Sequence, residues 1–232
     1  MDRAHAENGT VHGPYADSMT NTAPLSLGLA DAVLAMSSTL AATNFYLDDS
    51  DLEGDFLSTA AERRERLYEH LSAVYAGDLV LVGEAAGWQG ARQSGVPFTS
   101  AATVGLRGNQ EPSATAVHKL LASVGAGERT LLWNAFPLHP HDPGKPCTNR
   151  TPTSAELDSG MDALRLAIAG RRIVCVGKKA AGSVEQLLGH KIPDIHHASS
   201  ASPAIVVRHP SHGGALLFRS ETAAALSIWK LE

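Results

Sequence analysis

Four short apolar runs, each closed by a small or polar residue, constrain this chain more than any other feature. They are Leu79–Val82, the stretch 130–134 (TLLWN), the stretch 172–176 (RIVCV) and Ile205–Val207. Each is short and rich in Val, Ile and Leu, as expected of a strand covered on both faces. Between the runs lie segments with apolar residues at helical spacing. Strands that alternate with helices pair in parallel, because a parallel pair needs a crossover and the crossover helices cover the sheet. The expected fold class is α/β, a three-layer α/β/α arrangement around a central four-stranded parallel sheet.

The helices are read from the same periodicity. Leu25, Leu27, Leu29, Val33, Leu34, Met36 and Leu40 predict a mostly buried helix from Pro24 to about Ala42. Leu57, Ala60, Ala61, Leu67, Leu71 and Val74 predict an amphipathic helix over 55–76. Further helices are expected over 113–124, 179–188 and 214–229. Another runs from the capping box Thr153-Ser154-Ala155-Glu156 to Ala169. Residues 1–22 are polar and read as a flexible N-terminal arm, which leaves 23–232 as a single domain. The acidic run Asp48, Asp49, Asp51, Glu53 and Asp55 reads as a solvated linker. Residues 135–150 form a Pro-rich loop.

Composition excludes several classes. A chain of 232 residues, 44% apolar and 19% charged, can bury a full core. Two cysteines, Cys147 and Cys175, support neither a disulfide framework nor a four-thiolate cluster, and fit a reducing cytoplasm. No signal-peptide pattern opens the chain, and the apolar stretch Pro24–Ala42 carries Asp31 and several Ser and Thr, so no membrane span is expected. A net charge of −5 argues against a broad, non-specific nucleic-acid binder. Local basic character remains near the strand ends, from Arg92, Arg107, Lys145, Arg150, Lys178, Arg208 and Arg219.

The informative residues follow the strands. Glu84 follows the first, Asn134 ends the second, Gly177 and Lys178 follow the third, and Arg208, His209 and Ser211 follow the fourth. A turn at Gly95-Val96-Pro97 presents Phe98. Parallel strands bring these ends to one edge of the sheet, where ligands of such folds bind. An acid, an amide, an imidazole and an aromatic ring there suit a small planar heterocycle. Each also has a plainer reading. Glu84 could bond loop amides, Asn134 could tie its own loop, Phe98 could be core, His209 could cap the last helix and Trp88 could be a packed lid. His139, His141, Asp142 and Cys147 match no standard zinc spacing, so no metal is expected. His190, His196 and His197 read as surface residues.

The motifs GEAAG at 83–87, GVPFT at 95–99, WNAFP at 133–137 with NRTPT at 149–153, and HPS at 209–211 resemble the uracil-DNA glycosylase superfamily. The closest likeness is to bacterial members with GEAPG in the first motif, without the iron–sulfur cysteines. The resemblance implies removal of uracil from DNA by hydrolysis of the N-glycosidic bond, without metal or other cofactor. It implies that Phe98 stacks on the extruded base, that Asn134 pairs with its edge and that His209 donates to O2 of the departing uracil. Ala85 stands where the best-known branch carries a water-positioning aspartate. Trp88 stands beside Gly87, near where that branch excludes thymine with a tyrosine. Glu84 and Glu111 are therefore the candidates for water activation. Ser211, with His212, Arg208, Arg107 and Arg150, would hold the DNA backbone. The loop 211–215 lacks a large apolar wedge, which makes single-stranded DNA attractive beside double-stranded DNA. The stretch 106–110 lacks a histidine that could capture the DNA, so free uracil is the expected product. A cytoplasmic monomer is expected. Two other classes stay open. One is a non-catalytic binder of uracil-containing or abasic DNA. The other is a small-molecule α/β hydrolase using Glu84, or a metal at His139 and His141.

Overall fold

The computed structural model describes residues 23–47, 56–74 and 76–231. The expected arm at 1–22 and the acidic run at 48–55 lie outside them. In chain order the elements are α1 (Ala23–Leu34), β1 (Ala42–Thr43), α2 (Ala60–Ala73), β2 (Leu79–Ala85) and α3 (Ala91–Ser94). There follow α4 (Pro112–Ser123), β3 (Thr130–Phe136), β4 (His139–Pro140), α5 (Ser154–Ser159), α6 (Met161–Ile168), β5 (Arg172–Val176), α7 (Lys178–Leu188), β6 (Ala204–Val207) and α8 (Ala215–Trp229). A short 3-10 turn covers Ala101–Val104.

The four apolar runs form one parallel sheet in the order β3-β2-β5-β6. The chain leaves β2 to one side for β3, then returns to the other side for β5, so the switch in direction falls beside β2. Alternate residues divide between two cores. Val80, Val82, Leu131, Trp133, Ile173 and Cys175 face α1, α2, α6 and α7. Leu79, Leu81, Leu132, Val174, Val176, Ile205 and Val207 face α4 and α8, against Val117, Leu120, Phe218, Leu226 and Trp229. Each such side chain stabilises the fold by roughly 1.5–3 kcal/mol relative to exposure. β3 is an edge strand, and its Leu132 N–H donates to Nε2 of His70 at 3.1 Å. Burial pushes the His70 imidazole down to about 4, which keeps this acceptor neutral.

Several boundaries differ from expectation. The first helix stops at Leu34, not near Ala42, because Asn44 closes it: its side-chain amide donates to the carbonyls of Val33 and Met36 at 2.9 and 2.7 Å. Ser38 accepts the Asn44 N–H at 2.8 Å, and Leu40 is 76% exposed. Short polar side chains here offer the backbone a competing set of bonds. The second helix opens at Ala60 under a Thr59–Glu62 capping box. The helix expected from the Thr153 capping box starts as read but breaks at Gly160 into α5 and α6. A side chain at Gly160 would run into the carbonyl of Ala135, so the break is where the helix presses on β3. β2 and β3 also run further than the apolar runs. Gly83 pairs with Asn134 and Ala85 with Phe136 inside the sheet, so Glu84 lies in the strand rather than after it.

Candidate active site

The carboxyl ends of the strands surround a cleft of about 360 Å³, lined by residues including Glu84, Ala85, Phe98, Glu111, Asn134 and His209. Its floor depends on Gly83. A Cβ there would lie 2.5 Å from Asn134 Oδ1 and 2.7 Å from Phe98 Cζ, so the amide and the ring converge over a residue without a side chain. Asn134 is 4% exposed, and no hydrogen bond among the described residues engages its side-chain amide.

Phe98 reaches this position from a backbone with φ 54°, the left-handed region that a non-glycine residue avoids. The surrounding turn supports it. Thr99 Oγ1 lies 2.6 Å from both Ser94 Oγ and the Val96 carbonyl, and His118 hydrogen-bonds the Phe98 backbone.

His209 stands on another wall. It packs over Gly177, where a Cβ would come within 3.3 Å of the His209 Cβ. Ser211 N–H points at His209 Nδ1 at 3.1 Å, and Ser211 Oγ lies 2.8 Å from the same nitrogen. Nδ1 is therefore an acceptor, and the ring's proton sits on Nε2. Burial first, then the charges of Arg208 and His212, hold this imidazole below its ordinary pKa and so neutral at pH 7. His212 Nδ1 lies 3.0 Å from Ser211 Oγ, which extends the chain of contacts to the surface.

The other expected site residues separate into two groups. Ala85 and both candidate acids line the cleft, and Glu84 Oε1 is buried without a hydrogen-bond partner. Arg107, Arg208 and His212 are exposed and do not line the cleft, as is also true of Lys145, Lys178 and Arg219. Trp88 does not line the cleft; its backbone N–H donates to Asn149 Oδ1 at 2.9 Å and ties the first pocket loop to the Pro-rich loop. Arg150 lines the cleft, but its guanidinium is held by Glu156 at 2.6 and 2.7 Å and by the carbonyls of His141 and Ala41. Arg92, expected near a basic rim, is fully buried and sits over the Phe56 ring at 4.3 Å, since all four residues of α3 turn inward.

The histidines offered for a metal are committed to protein groups. His139 lies between the carbonyls of Ala86 and Pro146, and His141 between Thr43 Oγ1 and the Asp142 carbonyl. Among the described residues, no group of three or more His, Cys, Asp or Glu is arranged to hold a metal ion. No helix among them is long and apolar enough to cross a membrane. Sequence reasoning missed Ser113, Asn149 and Thr151 in the cleft lining, although the last two sit inside the NRTPT motif. It also missed Leu216 and Leu217, 81% and 55% exposed in the first turn of α8, just beyond the loop searched for a wedge.

The family model for the uracil DNA glycosylase superfamily matches residues 73–229. Among solved structures, the chain is similar to wild-type Pedobacter heparinus SMUG2, with 11% sequence identity and a TM-score of 0.60. That match covers 90% of this chain and 99% of the other, and bears on the fold. No curated protein matches the chain.

Proposed function

The chain belongs to the uracil DNA glycosylase superfamily, and on that premise we propose that it excises uracil from DNA by hydrolysing the N-glycosidic bond, leaving an abasic site. The observation that carries this reading is the convergence of the Asn134 amide and the Phe98 ring over Gly83, with His209 on a neighbouring wall. The extruded base stacks on Phe98, beside Ala85. The Asn134 amide accepts from uracil N3–H and donates to O4. Cytosine presents the opposite pattern and leaves buried polar groups unpaired, which discriminates strongly. A base inside a duplex must leave the stack to reach such a cleft.

As the C1′–N1 bond breaks, charge moves onto uracil. His209 donates from Nε2 to O2 and stabilises that charge, acting as a neutral donor rather than an acid. Exposed Arg107 and Arg208, with Ser211 and His212, hold the DNA phosphates of single- or double-stranded substrate. Arg150 contributes by fixing the loop that carries Asn149 and Thr151. The reaction needs no metal or cofactor, and free uracil is released by a monomer.

The test is release of free uracil from a labelled oligonucleotide, single- and double-stranded, with chelator present. The wild type is expected to release uracil from at least one of them. Binding without release would favour the non-catalytic reading. Neither binding nor release would favour the small-molecule hydrolase. His209→Ala is expected to slow single-turnover release at least about tenfold, the scale of a lost oxyanion donor. An unchanged rate would remove His209 from its role.

A further inference from the structure

We propose that Glu111 positions and deprotonates the attacking water, from the space that Gly90 leaves open in the first pocket loop. This rests on the uracil-excision reading above.

Glu111 precedes α4, yet its carboxylate does not cap that helix. It folds back over the loop between β2 and α3. A side chain at Gly90 would run into Glu111 Oε2, and one at Gly87 would stand 3.4 Å from Oε1. The two glycines thus make a seat for a carboxylate that arrives from more than twenty residues downstream. Nothing in the seat neutralises it. Among the described residues no donor or cation pairs with the Glu111 carboxylate, and burial alone raises its pKa above the ordinary carboxylate value. A structural carboxylate in such a place is normally hydrogen-bonded or paired. One that is half-covered, unpaired and facing a cleft is available to a ligand or a water.

Its position along the cleft fits the role. Asn134 and Gly83 are buried at the floor, whereas Glu111 is half-buried and shares the cleft lining with exposed Asn149 and Thr151. A base seated on the floor leaves its sugar at the mouth, where these residues lie. In the step, water oxygen bonds to C1′ as the C1′–N1 bond breaks. The water proton passes to the Glu111 carboxylate, the bonding pair leaves with uracil as its anion, and uracil takes up one proton on release. The charged and titratable groups that share the cleft are Glu84 from β2, Arg150 from the Pro-rich loop and His209 from the loop after β6.

The experiment compares wild type with Glu111→Gln on a single-stranded uracil oligonucleotide. Single-turnover release is followed from about pH 5 to about pH 9, a range that brackets a carboxylate base with raised pKa. Binding is measured with the same oligonucleotide carrying a non-cleavable 2′-fluoro-deoxyuridine. The expected result is a loss of about 100-fold in release at neutral pH, with binding kept within about twofold. The fall in wild-type rate towards acid pH should flatten in the variant. Wild-type rates with that acid limb intact overturn the proposal. So does a parallel loss of release and binding, which marks a structural role. A wild type that releases no uracil from either this or the double-stranded oligonucleotide overturns the excision reading and this proposal together; any other failure overturns this one alone.

Discussion

Two loops meet at the cleft, and they treat their polar groups in opposite ways. The Pro-rich loop after β3 satisfies the groups it buries. Arg150 is clamped by Glu156 and three carbonyls, His141 lies between Thr43 and Asp142, and β4 pairs with β1. The wall built from the end of β2, the glycine-rich loop after it and Glu111 leaves groups open: Glu84 Oε1 is buried without a partner, the Glu111 carboxylate is half-covered without one, and the Asn134 amide on neighbouring β3 is free among the described residues. A satisfied network stabilises one arrangement; unsatisfied groups cost stability and are tolerated where a ligand completes them. The first loop is frame, the second is receptor. The frame holds the receptor directly, through Asn149 to Trp88 and His139 to Ala86.

That contrast can be broken most forcefully at Gly83. Gly83→Ala would put a methyl group against Asn134 Oδ1 and the Phe98 ring, at 2.5 and 2.7 Å. Uracil release is expected to fall about 100-fold, because small misplacements of positioning groups cost that much, while thermal unfolding changes little. An equal loss of stability would place Gly83 in the frame instead.

A smaller effect, on stability, comes from one substitution, Glu to Gln, made on each side of that contrast. Glu156→Gln keeps the capping box, since Gln serves there as well as Glu, but leaves Arg150 without its carboxylate. A loss of about 2 kcal/mol is expected by urea unfolding. Arg150 holds the Glu156 carboxyl down to about 2, so its stabilisation is present above the ordinary value of 4.5 and is lost as pH falls towards 2. The difference between variant and wild type should fade over that window.

The smallest effect has the opposite sign. Glu111→Gln removes a charge that burial disfavours, so Tm at neutral pH should rise by about 2 °C. Because the folded pKa is raised, the penalty exists only where the carboxyl is ionised, and the gain should vanish below 4.5. A loss of stability in that variant would mean that Glu111 belongs to the frame.

Much of this was legible in the residues. Apolar runs bounded by glycine and polar residues marked the four strands, and strand alternation placed Glu84, Asn134 and His209 on one edge. The Thr153–Glu156 box marked a true helix start. What was not legible depends on partners far apart in the chain. Asn44 ends α1 through bonds that periodicity does not reveal, and Gly160 breaks a helix because β3 lies beneath it. Arg92 looked like rim charge until α3 turned it inward over Phe56. Ala85 marked a missing acid, and only the fold brings Glu111 over the glycines that follow it, Gly87 and Gly90.

The left-handed backbone at Phe98 bears on when the cleft takes shape. A bulky residue in that conformation costs on the order of 1–2 kcal/mol, and the Ser94–Thr99 turn holds it there through the protein's own hydrogen bonds. The strain is thus met once, during folding. A base arriving at the cleft finds its stacking surface already facing it, and loses no affinity to arranging one.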